Sequence, residues 1–159
     1  MQTFLPYADF EESVKVLDYR RLGKQRVETY QILKALLQEG GLRGGWAKHP
    51  ASRMWEGYEL ALLRYQEVTC HEWTDVRNFK DTCWEKSWEL FSKEQQADYL
   101  AGNYDYPDWL GDDDFHAAHR SNLVRKAHHI YRFPFGNIAD DLPYIWPGRT
   151  LEEASKLAS

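Results

Sequence analysis

The apolar residues of this chain recur at helical spacing, and no stretch alternates in the manner of a β-strand. A first long helix is predicted from Phe10 to about Glu39, because Asp9 and Glu12 have the spacing of an N-cap and a capping-box acid. Gly23 lies inside this segment and is expected to kink the helix or divide it in two. The chain therefore opens with a long amphipathic helix.

The same spacing predicts three further helices, the last of them capped by Asp112 or Asp113. Aromatic-rich loops separate them, and residues 131–147 are expected to be extended and to wrap over the helices. These patterns predict an all-α fold, with a single compact helical domain over residues 1–147 and a frayed tail at 148–159. The three predicted helices cover Ala51–His71, Asp81–Leu100 and Asp114–Ile130.

Composition narrows the class of protein. A chain of 159 residues that is 43% hydrophobic can bury one sizeable core, which excludes a disordered protein. No apolar run reaches the roughly 20 residues of a membrane span, and residues 1–6 lack the features of a signal peptide, so a cytoplasmic protein is predicted. Cys70 and Cys83 are too few for a disulfide framework and are expected to be buried thiols.

The charge is unevenly distributed along the chain. A net charge of −5 argues against a general nucleic-acid binder, yet basic residues concentrate at 20–26 and 120–132. In the first cluster, Arg21, Lys24 and Glu28 fall on one helical face, which suits an anionic ligand that needs an acid or base beside it. The alternative is a solvated face on which Lys24 and Glu28 form an ion pair that stabilises the helix by about 0.2–0.5 kcal/mol.

The second basic cluster belongs to the last predicted helix. His116, His119, Arg120 and Asn122 are expected to form a polar, partly cationic helix start, where backbone amides favour phosphate. Two histidines at this spacing lack the further ligands that zinc needs, so no metal is predicted. A glycine-rich phosphate loop is also missing, so no cofactor is predicted. The residues predicted to share one anion-binding cleft are Arg20, Arg21, Lys24 and Arg26 with Arg120, Asn122, Arg125 and Lys126.

Several aromatic residues could stack on nucleobases, a contact worth about 1–3 kcal/mol per base. Most tryptophans in a small helical domain belong to the core. Trp46 and Trp109 lie in predicted loops and are therefore the preferred stacking candidates.

Residues 20–33, His49-Pro50 and residues 119–126 resemble the pyrimidine-dimer DNA glycosylase family, in particular an actinobacterial and phage branch of it. The resemblance implies an α-helical domain that flips a nucleotide out of DNA and cleaves its N-glycosidic bond. It also implies an N-terminal α-amine as nucleophile, here on Met1, a glutamate on the first long helix and arginines that hold phosphate. Tyr19-Arg20 aligned on the family pattern places Arg21 at the position of that glutamate, so the acid is expected at Glu28 through a shifted register.

The predicted function is a DNA glycosylase, with or without AP-lyase activity, that acts as a monomer on a damaged or modified pyrimidine. One alternative is a non-catalytic nucleic-acid-binding module, which Arg21 in the place of the acid would allow. Another is a helical protein–protein adaptor, which the acidic surface favours. The predicted catalytic residues are Glu28 and Met1, and the predicted DNA contacts comprise the eight residues of the cleft with His49, His116 and His119.

Overall fold

All regular secondary structure is helical in the part of the chain that the structure, a computed structural model, describes: residues 2–37 and 49–147. The predicted all-α class is thus confirmed. The helices are α1 (Phe10–Val16), α2 (Tyr19–Leu37), α3 (Pro50–Arg53), α4 (Glu59–His71), α5 (Cys83–Glu89), α6 (Lys93–Ala101), α7 (Asp113–Lys126) and α8 (His128–Phe135), with a π-helical turn at Glu72–Val76.

The chain divides into two compact units. The first comprises residues 1–3 and 19–107, and the second residues 4–18 and 108–159. The single domain over residues 1–147 stays a prediction, and the predicted tail at 148–159 lies outside the described residues. Each unit is described by itself below.

The first unit is organised around α2. This helix packs against α3, α4 and α5, with Leu22, Ile32 and Leu33 fully buried along its apolar face. Tyr65 of α4 is also fully buried. Both cysteines lie in this unit as buried free thiols, as predicted, and burial raises the pKa of each thiol.

The predicted first helix is interrupted, but not at Gly23. The break falls at Leu17, whose backbone is extended (ψ 135°), and the N–H of Asp18 donates to the Tyr131 hydroxyl at 3.0 Å instead of a helical carbonyl. Through Gly23, α2 is continuous. The predicted division there is therefore wrong, whereas the predicted kink stays a prediction. The Trp73 side chain lies so close to Gly23 that a Cβ would be 3.0 Å from its nearest atom, which favours glycine at this position.

The other long predicted helices are also divided. Gly57 has a φ of +87°, a conformation that suits glycine, and it separates α3 from α4. The N-cap Ser92 begins α6 with a complete capping box, which ends the predicted helix 81–100 as two shorter ones. Ala127 leaves helical geometry (φ −149°) between α7 and α8. The extended conformation predicted for 131–134 is wrong, because these residues belong to α8.

The second unit contains α1, α7 and α8, and the predicted caps are confirmed. Asp9 accepts from the N–H of Glu12 at 3.0 Å, and Asp112 caps α7. The irregular segment 142–147 contacts α7 at two residues: Ser121 Oγ accepts from the N–H of Leu142 at 3.0 Å, and the Tyr144 ring meets that of His119 edge-on with centroids 5.7 Å apart. These contacts agree with the predicted wrap for residues 142 and 144.

Candidate active site

Glu28 lies on α2 with its side chain only 12% exposed. Its Oε2 accepts from the backbone N–H of Gln2 at 3.4 Å and from Gln25 Nε2 at 3.5 Å, while Lys24 Nζ lies 3.9 Å from Oε1. Lys24 itself is 75% exposed. The carboxylate is thus half enclosed by hydrogen-bond donors, with an ammonium group on its solvent side, as the shared face of α2 predicted.

A buried hydrogen-bond network holds the start of the chain beside this carboxylate. Gln25 Nε2 donates to the carbonyl of Gln2 at 2.7 Å, and the Tyr65 hydroxyl donates to Gln25 Oε1 at 2.7 Å. Trp55 Nε1 donates to Thr3 Oγ1 at 3.1 Å. Burial raises the pKa of Tyr65, so its hydroxyl keeps the proton that it donates.

This network was not predicted from the sequence. Gln25 and Tyr65 are 40 residues apart, and no spacing pattern connects them. The one available signal was position, because Gln25 lies three residues before Glu28 and so shares its side of the helix. Met1, the predicted nucleophile, lies outside the described residues, as does Trp46.

The basic residues of α2 differ in their surroundings. Arg20 and Lys24 are exposed and Arg21 is half-buried. Arg26 is 13% exposed, forms an ion pair with Asp81, and places its guanidinium carbon 4.3 Å from the centroid of the Trp73 ring. Its charge is therefore compensated within the protein, which makes it the least available of the four for a phosphate.

His49 has a local structural role. Its Nδ1 accepts from the N–H of Ala51 at 3.0 Å, which caps α3, and Pro50 occupies the first turn of that helix. A neutral imidazole is needed for this hydrogen bond, since a protonated ring has no acceptor.

In the second unit, the two histidines of α7 are buried and hold the backbone of Leu5. His119 Nδ1 accepts from the N–H of Leu5 at 2.9 Å, and His116 Nδ1 lies 2.8 Å from the Leu5 carbonyl. Because His116 Nε2 accepts from the N–H of Gly111, its Nδ1 is the donor. Burial lowers the pKa of His116 and lowers that of His119 to about 3. The predicted contact of these two histidines with DNA stays a prediction.

The remaining candidates on α7 divide into inward and outward groups. Arg120 donates to the carbonyl of Pro6 at 2.7 Å, and Asn122 is fully buried and donates to the carbonyl of Leu142 at 3.1 Å. Arg125 and Lys126 are exposed at the end of the helix. Trp109 is half-buried against Phe115, with ring centroids 4.8 Å apart.

The two predicted halves of the anion-binding cleft belong to different units, since α2 is in the first and α7 in the second. Their joining into one cleft stays a prediction. Among the described residues, no group of three or more histidine, cysteine or acidic side chains is arranged to hold a metal ion. None of the helices in the described ranges is both long and apolar enough to cross a bilayer.

A comparison with known proteins identifies the family to which the chain belongs. The model of the family described as pyrimidine dimer DNA glycosylase matches residues 1–86 of the 159. That range includes Glu28 and the buried network around it. Searches of curated proteins and of solved structures gave no significant match. Since the matched range covers more than half of the chain, the protein belongs to the pyrimidine dimer DNA glycosylase family.

Proposed function

We propose that the protein cleaves the N-glycosidic bond of a damaged or modified pyrimidine nucleotide in DNA, with Glu28 as its essential acidic group. The observation that carries this proposal is the 3.4 Å hydrogen bond between Glu28 Oε2 and the backbone N–H of Gln2. Residue 2 is bonded directly to Met1, so an α-amine on Met1 is one residue away from the carboxylate. The family and this arrangement together support glycosylase chemistry.

The chemistry follows from the properties of an α-amine. Its pKa is about 8, so a useful fraction is uncharged and nucleophilic near neutral pH. As the amine nitrogen bonds to C1′, the glycosidic C1′–N1 bond breaks, and the pyrimidine leaves with the electron pair and takes a proton from solvent. The Glu28 carboxylate stabilises the positive charge that develops on the sugar. The amine then loses a proton, and the C1′–O4′ bond of the aminal opens as O4′ takes up a proton. The Schiff base formed in this way permits β-elimination of the 3′ phosphate, which is the lyase reaction.

A second route uses the same carboxylate without a covalent intermediate. Glu28 then orients a water molecule towards C1′, and the sugar is released as an abasic site. In either route Arg20, Arg21 and Lys24 are proposed to bind phosphates, while Arg26 stays paired with Asp81. The target nucleotide must leave the base stack to reach a site at the protein surface.

The test combines base release with borohydride trapping. Wild type, Glu28→Gln and a matched control, Glu89→Gln, are incubated with duplexes that contain a thymine dimer, a modified cytosine or an abasic site. Glu89 is an exposed glutamate of α5, so its replacement changes the net charge equally without altering the site. We expect Glu28→Gln to keep the fold and DNA affinity while base release falls by about two to four orders of magnitude.

The outcomes separate the proposals. A borohydride adduct that maps to Met1 supports the amine route, and base release without an adduct supports the water route. If Glu28→Gln releases base at the wild-type rate, Glu28 has no catalytic role. If wild type binds DNA in a salt-dependent manner but releases no base from any substrate, the protein is the non-catalytic binding module instead.

A further inference from the structure

The π-helical turn and the loop after it build an aromatic stack on the surface of the first unit. The rings of Trp73 and Phe79 are nearly parallel, with an interplanar angle of 24° and centroids 4.3 Å apart. Two hydrogen bonds close the loop: Trp73 Nε1 donates to the carbonyl of Lys80 at 2.9 Å, and the N–H of Phe79 donates to the carbonyl of Trp73 at 3.0 Å. The phenylalanine is therefore held in place although the residue is 44% exposed.

The stack is anchored to α2. The six-membered ring of Trp73 lies so close to Gly23 that a Cβ there would be 3.0 Å from its nearest atom. The guanidinium of Arg26 lies over the same indole, and its ion pair with Asp81 fixes it there. Trp73 is thus a rigid support between the basic helix and Phe79.

Exposed apolar and cationic residues lie close in sequence to the two elements that form this support. Arg20 and Val27 lie three residues before and four after Gly23, on the helical face that Trp73 contacts, and both are exposed. On the loop, Lys80 is exposed beside Phe79. Exposure of an aromatic ring to water is unfavourable, so a ligand that covers the ring is favoured. Sites for single-stranded nucleic acid combine such rings with cationic side chains.

We propose that Phe79, supported by Trp73, is a stacking platform for an unpaired nucleobase of DNA, with Lys80 and Arg20 contacting the adjoining phosphates. The proposal rests on the proposed function, because a glycosylase must unstack a nucleotide and gains from a surface that holds unstacked bases. Lys80 and Arg20 are exposed cations, whereas the exposed acid of the π-helical turn, Asp75, has His71 Nδ1 at 2.7 Å from its Oδ2. These charges favour nucleic acid over an apolar partner at this face. Stacking on a planar ring is tolerant of base identity, so the platform should show little sequence preference.

The test uses single-stranded oligonucleotides with 2-aminopurine as the probe. We expect wild type to change the fluorescence of the probe on binding, and Phe79→Ala to lose that change together with roughly 5- to 150-fold in affinity. Phe79→Tyr should retain both, because it keeps the planar ring. The matched control is Leu100→Ala, which removes another apolar side chain that is 76% exposed on the same unit. It should behave as wild type.

A second measurement guards against misfolding. The urea midpoint of each variant is recorded, and Phe79→Tyr serves as the variant that preserves support for Trp73. Wild-type affinity and fluorescence in Phe79→Ala would overturn the proposal, as would equal losses in Phe79→Ala and Leu100→Ala. Base release is assayed in parallel. Base release by wild type without a fluorescence change overturns the platform alone, whereas the Phe79-dependent change without base release overturns only the glycosylase assignment.

Discussion

Replacement of Gly23 by alanine sets two effects of known size against each other. In a helix interior, alanine is favoured over glycine by about 1 kcal/mol. The added Cβ, however, would lie 3.0 Å and 3.2 Å from two carbons of the Trp73 ring, closer than the optimum of about 3.5–4.0 Å for such contacts. Overpacking of this kind costs about 1–3 kcal/mol when the neighbour cannot move away.

Trp73 has little freedom to retreat from the new methyl group. Its Nε1 is hydrogen-bonded to the Lys80 carbonyl, and its ring is held by Phe79 and by the guanidinium of Arg26. The cost should therefore match or exceed the gain, and Gly23→Ala should destabilise the fold by about 0–2 kcal/mol. Urea unfolding followed by circular dichroism measures this change.

The sign of the effect should depend on the tryptophan. With Trp73→Ala as background, the same glycine replacement should stabilise the protein by about 1 kcal/mol, because only the helical preference remains. A Gly23→Ala single variant that is more stable than wild type by that full amount would refute the reasoning, since it would mean that the indole yields without cost.

Two further predictions concern stability and pH. Asp81→Ala removes the carboxylate that accepts from the N–H groups of Cys83 and Trp84 at the start of α5 and that forms the ion pair with Arg26. It should therefore cost about 3–5 kcal/mol in urea unfolding, against almost no change for the exposed Asp75→Ala. Burial lowers the pKa of His119 to about 3, so the unfolded state binds the proton first and stability falls as pH drops from 6.5 towards 3. The loss is up to about 1.4 kcal/mol per pH unit, and His119→Asn should show a shallower dependence over that window. Equal slopes would exclude His119 as its source.

The sequence predicted what depends on local spacing. Helical periodicity predicted the all-α fold class. The caps at Asp9 and Asp112 were predicted because each capping side chain and the N–H that donates to it are neighbours in the chain. The break between α1 and α2, in contrast, involves a distant partner. Asp18 leaves helical geometry beside the hydroxyl of Tyr131, which is 113 residues away in the chain. No local pattern contains that information.

In the candidate site, too, the sequence predicted the features that depend on local spacing and missed those that depend on burial. Glu28 was found because it is the one acid among the basic residues of α2, and Lys24 is its neighbour one turn earlier. The protonation of the histidines depends on burial, which local spacing does not reveal. His119 is fully buried, so a residue that looks basic in sequence is a neutral hydrogen-bond acceptor in the fold.

The enclosed position of Gln2 has a practical consequence for recombinant work. This residue is 4% exposed, and its backbone is bonded on one side to Glu28 and on the other to Gln25. A purification tag or fusion partner joined before Met1 would turn the α-amine into an amide and start a foreign chain one residue from the carboxylate. Lack of activity in a tagged preparation would then be explained by the blocked α-amine and would not test the proposed function. Protein for assays should have its N-terminus verified by intact mass before any result is interpreted.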